Sequence, residues 1–235
     1  MKKVFRKIKN FLKHLIVFKS FRASSEQYWE KTASNYREHY NNEFPGRLEN
    51  QMKIIKKNLN KLKKSDKVLD LACADGFVSE FLSSYVDQVV GIDISKNAIK
   101  NAKINSKKKH IKNTKYYVRN LMEKNEIGES YNHIFCLGLF TCIENNDNFN
   151  DILKICNNSL LENGYLFLKD TIHYGSKDIK IHNNYVGSYY RTRQNYFSIL
   201  ENHFQIIETD SIEKKYFLED FQSDFESIFI VAKKK

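Results

Sequence analysis

The chain has 235 residues, of which 41% are hydrophobic and 14% aromatic. This length and composition indicate one globular domain with a packed core, and argue against several domains or a disordered chain. The formal net charge of +11 suggests an anionic partner, but seven of the 39 basic residues lie in residues 1–19, which contain no acid. The remainder is only mildly basic, so charge alone does not indicate a nucleic-acid-binding domain. The four cysteines form no CxxC pair, which favours reduced thiols and the cytoplasm.

Residues 1–22 are predicted to form a basic amphipathic helix. The longest uninterrupted apolar run in this segment has four residues, too few for a membrane span or a signal-peptide core. Two alternatives remain open: peripheral contact of residues 1–19 with the inner face of the cell membrane, or packing on the protein's own core. One face of the helix carries the apolar residues Val4, Ile8, Phe11, Leu15 and Phe18.

Residues 23–64 are predicted to form a helical cap in front of the main domain. Ser24 or Ser25 can cap a helix that runs from residue 26 to residue 40. Pro45 and Gly46 mark the next turn, and apolar spacing over residues 47–62 indicates another helix. The first of these helices carries the aromatic residues Tyr28, Trp29, Tyr36 and Tyr40.

From residue 65 to residue 235 predicted strands and helices alternate. Strands that are apolar almost throughout, joined by helices of about ten residues, predict an α/β domain with a mostly parallel, Rossmann-like sheet and helices on both faces. A helix is expected over 192–202, and two last strands, over 204–209 and 226–233, predict an antiparallel pair. The earlier strands are predicted at 67–72, 88–94, 115–120, 131–138 and 164–170.

The predicted strands carry polar residues at their carboxyl ends, which is where ligands bind in such folds. Asp70 ends the first strand, and Asp93 ends the second, 23 residues later. An acid at this second position suits a ribose diol, and an amide at Asn120 suits an adenine ring. The alternatives are that the two acids cap helices and that Asn120 lies in a solvated turn.

Five segments in order resemble the motifs of class I S-adenosylmethionine-dependent methyltransferases: "VLDLACADG", "GIDIS", "YYVRNLME", "YNHIFCLGLF" and "LLENGYLFLKD". The resemblance covers about residues 65–235 and implies a seven-stranded sheet with an antiparallel last strand. It implies S-adenosyl-L-methionine as cofactor, with Asp70 near its methionine part, Asp93 on the ribose, Asn120 and Leu121 at the adenine, and residues 137–140 beside the methyl donor. The expected cofactor-binding residues are Asp70, Ala72, Cys73, Ala74, Gly76, Asp93, Ile94, Asn120, Leu121, Leu137 and Gly138, with Tyr28 and Tyr36 from the N-terminal cap.

The glycine-rich loop of that family departs from its pattern here, because Ala72 and Ala74 stand where the family has glycines. Alanine disfavours positive φ, so both residues are expected to adopt ordinary backbone angles. S-adenosylmethionine has no phosphates and a positive sulfonium, so it needs no close anion-binding loop, whereas a dinucleotide would be obstructed by the two methyl groups. Cys73 is interpreted as a packing residue, and no metal site is expected.

The acceptor side is predicted to be a lid formed by residues 169–176 and 183–193, which follow the fifth predicted strand. Its candidate catalytic residues are Asp170, His173 as general base, Tyr190, and Arg191 as the grip for an anionic acceptor. The alternative is an ordinary structural lid.

The acceptor is expected to be a small molecule or a glycan. The only proline, Pro45, lies near the N-terminus, so the N/D-P-P-Y and Pro-Cys motifs of nucleic-acid methyltransferases are absent from this sequence. "SKKKH" at 106–110 is interpreted as a solvated helix end, and no nucleic-acid partner is expected. The chain resembles bacterial methyltransferases of surface-polysaccharide (capsule or lipopolysaccharide) biosynthesis, which implies O-methylation of a sugar. The alternatives are an RNA methyltransferase and a non-catalytic S-adenosylmethionine-binding module.

Overall fold

The computed structural model describes residues 29–30, 46–123, 127–182, 187–218 and 223–235. The predicted helix in residues 1–22 and most of the helix over 26–40 lie outside the described residues. Within the described ranges, no helix is long and apolar enough to cross a lipid bilayer.

Five helices and nine strands form the described part of the domain. The helices are α1 Arg47–Lys57, α2 Phe77–Leu82, α3 Lys96–Lys108, α4 Asn146–Ser159 and α5 Arg193–Glu201, with short 3-10 helices at Leu59–Lys61 and Phe140–Cys142. The strands are β1 Lys67–Leu71, β2 Gln88–Asp93, β3 Thr114–Val118, β4 Tyr131–Leu137, β5 Leu160–His173, β6 Ile179–His182, β7 Gly187–Tyr190, β8 Phe204–Leu218 and β9 Ser223–Lys234.

Seven of the strands form one sheet in the order β3-β2-β1-β4-β5-β9-β8. The first five are parallel, and β9 runs antiparallel to both β5 and β8. The predicted Rossmann-like sheet with its antiparallel end is therefore confirmed. β5 and β8 are longer than predicted, and β6 and β7, which follow β5 in the chain, form an unpredicted two-stranded sheet.

Helices cover both faces of the sheet. Side chains alternate between the two faces along each strand, so each central strand contributes to the buried clusters on both faces. On one face Leu69 and Ile134 belong to a buried cluster with residues of α4 and α5. On the other face Val68 and Phe135 belong to a cluster with residues of α1 and α2. This two-sided burial explains why the central strands are apolar almost throughout.

His133 ties three parts of this sheet together at its amino-terminal edge. Its Nδ1 accepts a hydrogen bond from the backbone N–H of Tyr165 in β5, so the proton lies on Nε2 and is donated to Asp66 Oδ2 at 3.0 Å. Burial lowers the pKa of His133. His133 therefore belongs to the sheet and not to the site at the opposite edge.

Candidate cofactor site

The loop after β1 has an unusual backbone for its sequence. Ala72 has φ 59° and Ala74 has φ 48°, both in the left-handed region. The expectation of ordinary backbone angles at these alanines is therefore wrong. The path of the loop requires positive φ, and the alanines adopt it at a cost of about 1–2 kcal/mol each. Both residues line an open cavity at the carboxyl edge of the sheet.

The loop keeps glycine only at Gly76, and packing gives the reason. Gly76 has φ 80°, and a Cβ there would lie 2.8 Å from the Tyr116 hydroxyl and 3.0 Å from Ala102 Cβ. The methyl groups of Ala72 and Ala74 have room in the cavity, whereas a methyl at residue 76 would meet buried side chains. The surviving glycine is therefore a packing requirement as well as a backbone one.

Asp93 joins the loop to the end of β2. Its Oδ2 accepts a hydrogen bond from the Ala74 amide at 2.9 Å, and its Oδ1 accepts one from the Ser95 amide at 2.9 Å. Each carboxylate oxygen keeps a further acceptor position, and the side chain lines the cavity. Asp93 can therefore hold the loop and accept two hydroxyl hydrogen bonds at the same time. Burial raises its pKa.

The loop amides are already paired within the protein. The Cys73 amide donates to the Ile92 carbonyl at 3.0 Å, and the Gly76 amide donates to the Cys73 carbonyl at 3.0 Å. With the Ala74 amide bound to Asp93, these three N–H groups are not available to a pyrophosphate. The arrangement disfavours a dinucleotide and suits a cofactor without phosphates.

Carboxylates dominate the electrostatics behind the loop. Asp70 is 2% exposed, accepts a hydrogen bond from Ser79 Oγ at 2.5 Å, and does not line the cavity. Burial, with smaller contributions from Asp93 and Asp75, raises its pKa to about 7. A cationic ligand in the cavity would therefore be favoured over an anionic one.

Residues after β3 form a further part of the cavity wall. Asn120 lines the cavity, but its Oδ1 accepts from the Met122 amide and its Nδ2 donates to Glu123, each at 3.0 Å. Its side chain therefore stabilises its own turn, which is the alternative left open by the sequence, and each polar group retains one position for an adenine. Leu121 and Ile94 supply apolar surface beside it.

The loop after β4 completes the cavity. Leu137 and Gly138 line it, and Gly138 has φ 98°, a conformation that strains other residues. Cys142 also lines the cavity, and burial raises the pKa of its thiol to about 12. This thiol is therefore protonated and a poor nucleophile at neutral pH.

The N-terminal cap contributes Trp29, which lines the cavity. The sequence predicts Tyr28 and Tyr36 from this segment as cofactor-binding residues, and it does not predict Trp29. Glu30 holds this residue in place, because its carboxylate accepts from Ser95 Oγ at 2.8 Å and from the Asn97 amide at 3.1 Å. Tyr28 and Tyr36 lie outside the described residues. Helical aromatic spacing identified the segment, but it did not distinguish Trp29 from the tyrosines.

The predicted site residues therefore divide into two groups. Asp70, Cys73 and Gly76 are buried on the side of the loop that faces away from the cavity, and they do not line it. The cavity wall also includes residues that the sequence did not single out, namely Arg119, Met122, Cys142 and Ile143. Predicted residues that line the cavity are Ala72, Ala74, Asp93, Ile94, Asn120, Leu121, Leu137 and Gly138.

Two predicted acceptor-binding residues hold the loop after β4 instead. Asp170 is buried and accepts from the amides of Phe140 and Thr141 at 3.1 and 3.2 Å. Arg191 is 1% exposed, donates to the carbonyls of Phe140 and Ile143 at 2.9 and 3.0 Å, and stacks against aromatic rings. The expectation that Arg191 grips an anionic acceptor is wrong, because its guanidinium is committed to backbone carbonyls.

His173 does not line the cavity either. It is 0% exposed and stacks on Phe225, and its Nδ1 accepts from the Gly175 amide at 3.1 Å. Burial lowers its pKa, which favours the neutral imidazole. Tyr190 is half-buried and lies edge-on to Phe225. Neither side chain lines the cavity.

The cavity fits S-adenosylmethionine on three observations. Asp93 offers two acceptors for a ribose, the apolar side chains of Ile94 and Leu121 suit an adenine, and the carboxylates behind the loop favour a sulfonium over phosphates. The methyl groups of Ala72 and Ala74 narrow the cavity without closing it.

The chain is similar to known proteins in its sequence. A methyltransferase-domain family model matches residues 62–216. The 23S rRNA (uracil(1939)-C(5))-methyltransferase RlmD of Legionella pneumophila (strain Corby) is 36% identical over 77 residues, which are 33% of this chain and 17% of that protein. The chain therefore spans under a fifth of the length of the curated relatives that it matches.

Two solved structures have the same fold at low sequence identity. An S-adenosylmethionine-dependent methyltransferase from Clostridium acetobutylicum ATCC 824 has a TM-score of 0.67 and 16% identity, covering 86% of this chain and 98% of that one. The N-methyltransferase NodS from Bradyrhizobium japonicum WM9, in complex with S-adenosyl-L-homocysteine, has a TM-score of 0.66 and 13% identity, covering 89% and 98%. By its sheet, its cavity and the family match over most of its length, the chain belongs to the methyltransferase-domain family.

Proposed function

We propose that the protein is an S-adenosylmethionine-dependent methyltransferase (EC 2.1.1.-). The observation that carries this proposal is Asp93, which fixes the loop through the Ala74 amide and still presents acceptors to the cavity. The methyltransferase-domain match over residues 62–216 supports it. S-adenosylmethionine, when bound, supplies an electrophilic methyl group.

In this proposal different residues of the cavity contact different parts of S-adenosylmethionine. Asp93 accepts the ribose hydroxyls, Ile94 and Leu121 contact the adenine, and Trp29 covers the cavity from the side of the N-terminal cap. Gly138 leaves bare backbone at the cavity wall.

Catalysis by this site relies mainly on positioning. Among the described residues that line the cavity, Asp93 is the only carboxylate and no histidine is present. Placing an acceptor in line with a reactive group supplies a large share of a rate enhancement without a base. The role of His173 as general base stays a prediction, and its neutral, buried ring would need a path to the acceptor.

The acceptor is a small molecule or a glycan in this proposal. Its finer form, O-methylation of a sugar in bacterial surface-polysaccharide biosynthesis, rests on the resemblance of the sequence. The segments 169–176 and 183–193 remain the proposed acceptor side.

A second candidate function is RNA methylation, which is favoured by the likeness to the Legionella rRNA methyltransferase. A covalent attack on a pyrimidine ring is disfavoured in this candidate, because the Cys142 thiol in the cavity has a pKa raised to about 12. An RNA acceptor would then be methylated at a nitrogen or an oxygen.

Calorimetry with S-adenosylhomocysteine tests the cofactor site. Asp93→Asn should weaken binding by about 10- to 150-fold, because the amide nitrogen cannot accept a ribose hydrogen bond. Asp87→Asn, at an exposed position away from the cavity, should bind like the wild type. Absence of binding to the wild type at millimolar ligand, or tighter binding of a dinucleotide, would contradict the proposal.

Transfer of a labelled methyl group separates an enzyme from a non-catalytic binding module. The labelled donor should be incubated with fractionated cell-surface precursors and, separately, with total RNA. Incorporation into either fraction that is lost in Asp93→Asn supports an enzyme and names the acceptor class. Cofactor binding without turnover on any fraction would support the module instead.

A further inference from the structure

One wall of the cofactor cavity comes from a segment that is distant in sequence from the rest of the site. Trp29 lines the cavity, whereas the other lining residues lie within residues 72–152. Those residues belong to strands of the sheet, to the loops that follow them and to α4. The position of the Trp29 wall therefore depends on contacts between its own segment and the main domain.

Glu30 makes such contacts at the N-terminus of α3. A helix leaves its first backbone N–H groups without partners inside the helix. The N-cap residue Ser95 accepts from the Ala98 amide at 3.0 Å, and the Glu30 carboxylate accepts from the Asn97 amide at 3.1 Å. The Glu30 carbonyl also accepts from Asn97 Nδ2 at 3.1 Å. Glu30 therefore completes the cap of a helix that begins 65 residues later in the chain.

The same contacts couple Glu30 to Asp93. Ser95 is 1% exposed, and its hydroxyl donates to Glu30 Oε2 at 2.8 Å while its amide donates to Asp93 Oδ1 at 2.9 Å. Burial raises the pKa of Asp93, and the negative charge of Glu30 raises it further. The two carboxylates therefore interact both through Ser95 and directly through their charges.

Glu30 itself does not line the cavity. Residues 29 and 30 are helical, so their side chains point about 100° apart around the helix axis. One of them faces the cavity, and the other binds α3. Glu30 can therefore act on a ligand only through Trp29 or Asp93.

We propose that Glu30 is a positioning residue, a latch that holds Trp29 across the occupied cofactor cavity and thereby sets how slowly the ligand leaves. This inference rests on the proposed S-adenosylmethionine site. A ligand between Asp93 and Trp29 leaves when this wall moves away, and that movement breaks charge-assisted hydrogen bonds, which are stronger than neutral ones. Loss of Glu30 should therefore change the dissociation rate more than the association rate.

Trp29 is the only tryptophan of the chain, so its fluorescence reports this wall directly. Stopped-flow titration with S-adenosylhomocysteine gives the association rate from the slope and the dissociation rate from the intercept. Glu30→Gln should raise the dissociation rate about 10-fold, as expected for one lost hydrogen bond to a charged group. Glu201→Gln, at an exposed position of α5, should have wild-type rates. An unchanged dissociation rate in Glu30→Gln would overturn the proposal.

A helix cap and a latch predict different effects of Asn97→Asp. A carboxylate in the first turn of α3 favours the helix, so the Tm should not fall. The dissociation rate should nevertheless rise about threefold or more, because the new charge repels Glu30 and the hydrogen bond from Asn97 Nδ2 is lost. Gln194→Glu, at the same exposed position of α5, should keep the wild-type rate. A wild-type rate in Asn97→Asp would leave Glu30 as a helix cap only and overturn the proposal.

Calorimetry shows whether Glu30 acts through Trp29. Trp29→Ala and Glu30→Ala should each weaken binding of S-adenosylhomocysteine, and the double variant should bind about as weakly as Trp29→Ala alone. If the two effects multiply instead, Glu30 acts elsewhere and the proposal is overturned. Circular dichroism melts verify folding, and Asn97→Asp, which should keep its stability, decides the question if Glu30→Ala is unfolded.

The latch and the cofactor site can fail separately. Absence of S-adenosylhomocysteine binding by the wild type would contradict the proposed cofactor site and the latch with it. Binding by the wild type that all Glu30 variants leave unchanged would overturn the latch alone.

Discussion

At the scale of single residues, the loop after β1 shows which glycines a fold of this kind requires. Ala72 and Ala74 both have positive φ, so the backbone path is kept although the residue type is not. Gly76 remains because Tyr116 and Ala102 pack against its Cα. The substitution of glycine by alanine is therefore tolerated on the open side of the loop and excluded on its packed side.

The strain at Ala72 is measurable. Ala72→Gly should raise the free energy of unfolding by about 1 kcal/mol, because glycine adopts positive φ without a clash of Cβ. Urea denaturation gives the value. The matched control is Ala98→Gly in α3, where the backbone is helical and the same change should destabilise the protein. A loss of stability in Ala72→Gly would contradict the strain at this residue.

At the scale of elements, the loop after β4 depends on a buried arginine from the end of β7. Arg191 donates to the carbonyls of Phe140, Ile143 and Asn145, and its guanidinium stacks between the rings of Phe149 and Tyr189. Asp170 binds the amides at the start of the same loop. The predicted acceptor residues thus position a wall of the cofactor cavity.

Arg191→Lys tests this role. An ammonium group cannot satisfy several carbonyls in one plane, so the free energy of unfolding should fall by about 2 to 4 kcal/mol. Affinity for S-adenosylhomocysteine should fall with it, because Cys142 and Ile143 lie in the displaced wall. Arg193→Lys, an exposed position that stacks on Phe197, should change stability by less than about 0.5 kcal/mol. Equal stabilities of the two variants would argue against the role of Arg191.

At the scale of the whole molecule, buried carboxylates make stability depend on pH. Burial raises the pKa of Asp70 from 3.8 to about 7, and it also raises those of Asp93 and Asp170. Between these values the native protein keeps a proton on Asp70 that the unfolded chain has lost. The contribution of Asp70 is therefore fully present below pH 3.8 and is lost as the pH rises through about 7.

Asp70→Asn isolates this dependence. The variant should gain stability relative to the wild type as the pH rises from 5 to 7, by at most about 1.4 kcal/mol per pH unit. The difference should level off above about pH 8, where Asp70 is ionised in both states. Urea denaturation across this range measures it, with Asp151→Asn at an exposed position as control. A constant difference from pH 5 to pH 8 would show that the pKa of Asp70 is not raised.

The sequence by itself determined the fold class and half of the site. Apolar strands alternating with amphipathic helices specify a two-sided parallel sheet, and residues at strand ends must meet at one edge, so Asp93, Asn120 and Gly138 could be predicted as neighbours. The positive φ of Ala72 could not be predicted, because local preference is opposed there by the path that packing imposes on the loop.

Only the tertiary structure decided what the polar residues after β5 do. Asp170, His173 and Arg191 are chemically suited to an acceptor site. No local signal shows that all three are buried, or that Asp170 and Arg191 bind the loop after β4. Burial and partners are set by contacts distant in sequence, and these contacts determine whether a polar side chain binds a ligand or its own protein.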